Sequence, residues 1–187
     1  MIIAFSGYKS SGKSTAANAL VETGFVDVKM ADPLKKMLQQ LFRYAGCEDA
    51  YVHRCLEGDL KEQPEKKVLL GATPRHAMQQ LGTEWRNSIN EHLWSNLWRK
   101  KVSELLGNGF SVVCSDIRFP HEIELLRTFG TDAYLIHIDR GIISQNSHAS
   151  EQDISSFADF TISNTGSVEE LIDAVYGIYL EIAVNNN

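Results

Sequence analysis

Apolar positions along the chain fall into two kinds of run. Short continuous runs at 1–6, 25–30, 110–115, 133–138 and 160–163 have the length and β-branched or aromatic content of buried strands. Between them lie longer segments whose apolar positions recur at helical spacing. The clearest is 90–106, with Leu93, Trp94, Leu97, Trp98, Val102, Leu105 and Leu106 on the 3.6-residue period. That period places Trp94 and Trp98 in the core. Helices are also predicted at 13–22, 33–45, from Thr73-Pro74 onward, at 120–129 and at 168–183. Local punctuation supports the boundaries. Asp32-Pro33 reads as an N-cap followed by proline at the first helical position, and Thr73-Pro74 repeats that logic. Gly107-Asn108-Gly109 stops the long amphipathic helix. Ser167 and Glu170 form a capping box for the last one. Residues 46–72 are charged and irregular, and read as short helices and a mobile loop. Strands alternating with helices predict a parallel sheet of about five strands covered on both faces, a three-layer α/β domain. In such a fold a ligand sits at the carboxyl ends of the strands.

At 187 residues the chain suits one domain with a helical insertion. A net charge of −6 argues against general nucleic-acid binding. The three cysteines, Cys47, Cys55 and Cys114, have no metal-ligand spacing and read as reduced thiols of a cytoplasmic protein. No run is long and apolar enough for a membrane span, and the N-terminus lacks the layout of a targeting peptide.

Chemistry enters at Gly7-Tyr8-Lys9-Ser10-Ser11-Gly12-Lys13-Ser14, a full match to G-x-x-x-x-G-K-[ST] between a predicted strand and a predicted helix. Backbone N–H groups of such a loop cradle phosphate oxygens, and the helix dipole assists them. Lys13 is expected to reach the β- and γ-phosphates and Ser14 to offer its hydroxyl to Mg²⁺. The loop residues Gly7 to Ser14, with Thr15, are therefore the candidate ATP-binding set, and the whole reads as a P-loop nucleotide kinase-like fold. Three clusters narrow the reaction. A strand ends in Asp116-Ile117-Arg118, where a carboxylate near Mg²⁺ and an arginine at the cleft mouth are expected. Asp32 and Lys35, then Arg75, Gln79, Thr83 and Glu84, supply cations and polar groups suited to an acceptor carrying a phosphate. Trp85 could stack on a base, and is read rather as core. Finally Asp139-Arg140-Gly141 through His148-Ala149-Ser150-Glu151 has the layout of a lid over 140–156, with Arg140 as a cis arginine finger. No Asn-Lys-x-Asp for guanine selection occurs. A phosphotransferase acting on a small acceptor is the best reading. The alternatives are a kinase for another acceptor, such as dephospho-coenzyme A or phosphomevalonate, and a regulator that binds ATP without an acceptor.

These stretches resemble the phage-type deoxynucleoside monophosphate kinases. The resemblance is carried by Gly7 to Thr15, Ala31-Asp32-Pro33-Leu34-Lys35, Thr73-Pro74-Arg75, Leu81-Gly82-Thr83-Glu84, Asp116-Ile117-Arg118-Phe119-Pro120, and His148-Ala149-Ser150-Glu151 followed by Ala158-Asp159 and Asn164. It spans nearly the whole chain. It implies ATP as donor, a deoxynucleoside 5′-monophosphate as acceptor, Mg²⁺, and in many members a homodimer. The implied layout is a single domain, 1–187, with an acceptor-binding helical region at about 31–106. In that reading Lys13, Arg140, Asp116 and Arg118 are catalytic. Ser14 and Asp116 serve the metal, and Asn164 joins the ATP site. Asp32, Lys35, Arg75, Gln79, Thr83, Glu84, Arg118, Ser150 and Glu151 face the acceptor.

Overall fold

A computed structural model of the chain describes residues 1–141 and 154–185. Its strands are β1 (Ile2–Ser6), β2 (Val26–Asp27), β3 (Val112–Cys114), β4 (Ala133–Asp139) and β5 (Phe160–Ser163). They form one parallel sheet in the order β2-β3-β1-β4-β5. The helices are α1 (Lys13–Glu22), α2 (Asp32–Tyr44), α3 (Asp49–Leu56), α4 (Pro74–Ser88), α5 (Leu93–Gly107), α6 (Pro120–Arg127) and α7 (Val168–Asn185). The three-layer α/β expectation holds, and β1, the first strand in the chain, is the central one. From β1 the chain passes to the edge strand β2, returns to β3 on one side of β1, and then crosses over to β4 and β5 on the other. The carboxyl end of β1 is where the loop 7–12 begins.

The chain divides into two compact units, Met1–Met30 with Arg99–Asn187, and Ala31–Trp98. The first contains the sheet. Ile3 and Phe5 of β1, Val113 of β3, Ile136 and Ile138 of β4 and Ile162 of β5 share a face and pack with Ala16, Ala17 and Leu20 of α1 and Leu171, Val175 and Ile182 of α7. Strand alternation sends Ile2, Val112, Cys114 and Leu135 to the other face, where they are also buried, and α6 packs against β4. Burial on both faces is why these strands read as continuous apolar runs. The second unit is helical. Leu38 and Phe42 of α2, Val52, Cys55 and Leu56 of α3 and Met78 of α4 form its core.

Four local expectations need correction. The predicted strand 25–30 is ladder-like only at Val26–Asp27. Val28 still donates to the Val113 carbonyl at 2.9 Å, but the Met30 N–H turns to the Asp116 carboxylate at 2.8 Å. Asp32 is not an N-cap. Ala31 already has helical dihedrals, which places Asp32 in the first turn, where its charge suits the dipole. The stretch 46–72 contains α3, and its last part is tied down. Glu65, 4% exposed, accepts N–H bonds from Lys67, Val68 and Leu69 at 2.7–2.8 Å and the Tyr51 hydroxyl at 2.8 Å. Trp85 is 39% exposed rather than core, and stacks on Trp94 with ring centroids 6.0 Å apart. Trp94 and Trp98 are buried as the periodicity predicts. Among the described residues no helix is long and apolar enough to cross a membrane.

Candidate functional site

The loop between β1 and α1 owes its shape to two glycines. Gly7 has φ +136°, and a Cβ there would overlap the Ile138 carbonyl oxygen of β4. Gly12, at φ +108°, caps α1, and a Cβ would meet Asn164 Nδ2 at 2.7 Å and Leu171 Cδ2 at 2.8 Å. Both positions combine a left-handed backbone with close neighbours, which only glycine satisfies. Ser11 N–H closes the loop onto the Tyr8 carbonyl at 3.1 Å. Lys13, the first residue of α1, folds its ammonium back over the loop and donates to the Gly7 and Tyr8 carbonyls at 2.7 and 2.6 Å. Ser14, Ser10 and Lys9 are exposed, whereas Ser11 is buried.

Neighbouring strand ends hold this loop. Ser6 Oγ and His137 Nδ1, 3.1 Å apart and buried, join β1 to β4 just below it. Arg140, which follows β4, is exposed and donates to the Ser10 carbonyl at 2.9 Å. Asn164, which follows β5, donates its side-chain amide to the Ser11 carbonyl at 2.8 Å, and its N–H donates to Asp139. Parallel pairing therefore brings Lys13, Arg140 and Asn164 around one loop, although 13 and 164 are far apart in sequence. Asn164, expected at the ATP site, acts on the loop's backbone. His137 escaped the sequence reading because it looks like one more position in an apolar strand.

The end of β3 supplies a second group. Asp116 is half-buried, and its Oδ1 accepts the Met30 N–H and lies 3.3 Å from Cys114 Sγ. Burial pushes the Cys114 thiol well up, and the Asp116 charge adds to that, so Cys114 packs rather than reacts. Arg118 is exposed. Its backbone is fixed by Glu122, whose Oε2 accepts the Arg118 and Phe119 N–H groups at 2.7 and 3.1 Å. Glu122 is 8% exposed, and burial pushes its carboxyl up to about 7, against the stabilising bond from the Arg118 N–H. Sequence reading missed Glu122, although a glutamate three residues after the residue preceding Pro120 is a capping signal.

Of the acceptor-side candidates, Arg118 belongs to the sheet-containing unit, and those on α2 and α4 belong to the other. Arg75, Gln79 and Thr83 are spaced by four along α4 and share a stripe, with Glu84 beside it. Gln79, Thr83 and Glu84 are exposed, while Pro74 and Met78 face inward. Asp32 and Lys35 sit in the first turn of α2. Ser150 and Glu151, with His148 and most of the expected lid, lie outside the described residues. Among the described residues no group of three or more His, Cys, Asp or Glu could cage a metal ion.

Comparison with known proteins shows a family and, separately, a fold. The family model described as deoxynucleotide monophosphate kinase matches residues 71–175. A protein of Acanthamoeba polyphaga mimivirus that carries the name of a deoxynucleotide monophosphate kinase is 33% identical over 191 residues, covering 94% of each chain. Among solved structures, a dephospho-CoA kinase from Campylobacter jejuni is similar with a TM-score of 0.54 at 18% identity, covering 100% of this chain and 98% of that one. A sugar kinase from Janibacter sp. aligns with a TM-score of 0.50 at 14% identity, covering 97% and 95%. At such identities these two structures speak for the fold alone.

Proposed function

This chain belongs to the deoxynucleotide monophosphate kinase family, and from that premise we propose that it transfers the γ-phosphoryl group of ATP to the phosphate of a deoxynucleoside 5′-monophosphate, yielding ADP and the deoxynucleoside diphosphate. The observation that carries the reading is the loop 7–12 at the carboxyl end of the central strand, with Lys13 and Arg140 both bonded to its carbonyls. An acceptor phosphate is largely ionised at neutral pH, so the reaction needs no strong general base. The demands are in-line positioning and neutralisation of charge that spreads over the transferred group.

The loop N–H groups and the α1 dipole hold the donor phosphates. Lys13 exchanges its carbonyl partners for phosphate oxygens, and Arg140 adds positive charge beside the same loop. Asn164 keeps the loop in shape by holding the Ser11 carbonyl away from the anion. Lys35 and Arg75 are the cations of the helical unit assigned to the acceptor phosphate, with Gln79, Thr83 and Glu84 reading its sugar or base. Mg²⁺ fits the donor set. The Ser14 hydroxyl and the Asp116 carboxylate, both hard oxygen donors, would hold it. When bound, it would supply positive charge to the donor phosphates.

An acceptor panel tests the proposal. Purified protein with labelled ATP and Mg²⁺ is offered each deoxynucleoside monophosphate, the matching ribonucleotides, dephospho-coenzyme A and no acceptor. The expected result is ADP formation that depends on a deoxynucleoside monophosphate, with label recovered in the diphosphate. Label in dephospho-coenzyme A alone, or ATP turnover indifferent to acceptor, overturns it.

A further inference from the structure

A cluster of cations lies wholly within the unit Ala31–Trp98, and one of its members has no assigned role. Lys61 stands in the turn that follows α3, half-buried. The Arg75 N–H donates to the Lys61 carbonyl at 3.0 Å, which stitches the first turn of α4 to that turn. Lys35, from the first turn of α2, pairs with Glu57 at 2.6 Å, and its side chain is largely buried. Arg75 pairs through Nε with Glu62. Lys61 makes no ion pair among the described residues. Burial lowers its ammonium below the ordinary lysine range. The positive charges of Lys35 and Arg75 lower it further, and Glu57 and Glu62 offset only part of the effect.

Three cations gathered with two carboxylates leave a positive site. A lysine stem is long enough to carry its ammonium out to water, so holding it half-buried beside two like charges has a cost that an anion would remove. The start of α4 offers an anion few backbone donors. In the first turn of α4, the Arg75 N–H is taken by Lys61 and the His76 N–H by the Thr73 hydroxyl at 3.1 Å. Side chains are the donors that remain there. A guanidinium fork with two ammonium points is the set that matches a tetrahedral phosphate dianion.

We propose that Lys61 is the third cationic ligand of the acceptor's 5′-phosphate, beside Lys35 and Arg75, and that the phosphate displaces the ion pairs which Glu57 and Glu62 make with those two residues. This rests on the kinase reading above for the identity of the anion. The substrate class that follows is a phosphomonoester, and a nucleoside without its phosphate is excluded.

Two experiments separate the assignment from the reading it rests on. In steady-state kinetics, Lys61→Met keeps the aliphatic stem and removes the charge. Loss of one charge-assisted contact at a half-exposed site should raise the monophosphate KM about tenfold or more, with kcat and the ATP KM changed less than about twofold. Lys61→Arg should recover part of the loss. An unchanged monophosphate KM in Lys61→Met overturns the assignment. Independently of turnover, trace acetylation with acetic anhydride, read by peptide mass spectrometry, reports whether Lys61 is covered. Inorganic phosphate and a deoxynucleoside monophosphate should each protect it, while the deoxynucleoside should not. The same protection should persist in Lys13→Ala, which weakens the loop's own phosphate site. Protection by phosphate in a protein that phosphorylates no monophosphate leaves the anion site standing and sinks the kinase reading. Phosphorylation of a monophosphate without protection of Lys61 sinks this inference alone.

Discussion

Lys13, to which the proposed reaction gives a catalytic role, contributes little to the packed core. It opens α1, and its ammonium rests on the Gly7 and Tyr8 carbonyls rather than in the apolar core. Lys13→Ala is therefore expected to keep its far-UV circular dichroism and melting temperature while phosphoryl transfer falls by at least about 10²-fold. Circular dichroism and ADP formation on the same preparation check this. Near-normal turnover would remove the loop from the reaction. Glycine acts in the opposite way at the same site. Gly12 touches no phosphate with a side chain, yet its left-handed φ and its contact with Asn164 make the loop's path possible.

At the scale of elements, the segment from β3 into α6 is the most instructive. Cys114, Asp116, Arg118 and Glu122 follow one another through a strand end, a turn and a first helical turn. The buried Glu122 carboxylate ties the turn to the helix. An unfolded glutamate titrates near about 4.3, whereas burial holds this one up to about 7. Between those values the folded chain binds more protons than the unfolded chain, so raising the pH weakens the fold through this group. Above about 7 the cost is constant. Glu122→Gln preserves an acceptor oxygen for the Arg118 and Phe119 N–H groups and removes the titration. Urea unfolding at pH 5 and pH 8 should show the wild type losing stability relative to Glu122→Gln as pH rises, by up to the order of 3 kcal/mol. An equal difference at the two pH values would mean that Glu122 does not titrate in that window. The capping box of α7 is the contrasting case. Ser167 and Glu170 exchange bonds of 3.2 and 3.1 Å as the local sequence predicts, because both partners lie within one turn.

On the scale of the molecule, the donor loop and the acceptor candidates of α2 and α4 belong to different compact units. A non-hydrolysable ATP analogue should slow amide hydrogen exchange around residues 7–16. A deoxynucleoside monophosphate should slow it in the first turns of α2 and α4, within Ala31–Trp98. Exchange mass spectrometry with each ligand alone checks the division, and protection confined to the loop with both ligands would contradict it. Much of this architecture was legible in the chain alone. The glycine loop, the bounds of α1 and β5, the Thr73 cap, the Ser167–Glu170 box and the burial of Trp94 and Trp98 depend on neighbours within a few residues or on a single amphipathic period. Those are properties a linear sequence carries. The short β2, the exposed Trp85 and the anchoring of 65–72 were not legible. A strand ends where its partner ends, a ring is buried only if another element covers it, and Glu65 gathers N–H groups that no spacing rule points to. Asn164 on the Ser11 carbonyl, His137 on Ser6, and Lys61 beside Lys35 and Arg75 likewise join residues far apart in sequence. The sequence by itself determined that a phosphate-binding loop would stand between a buried strand and a helix. Only the tertiary structure decided which distant side chains hold that loop and which cations share a site, because strand pairing and helix packing set those distances.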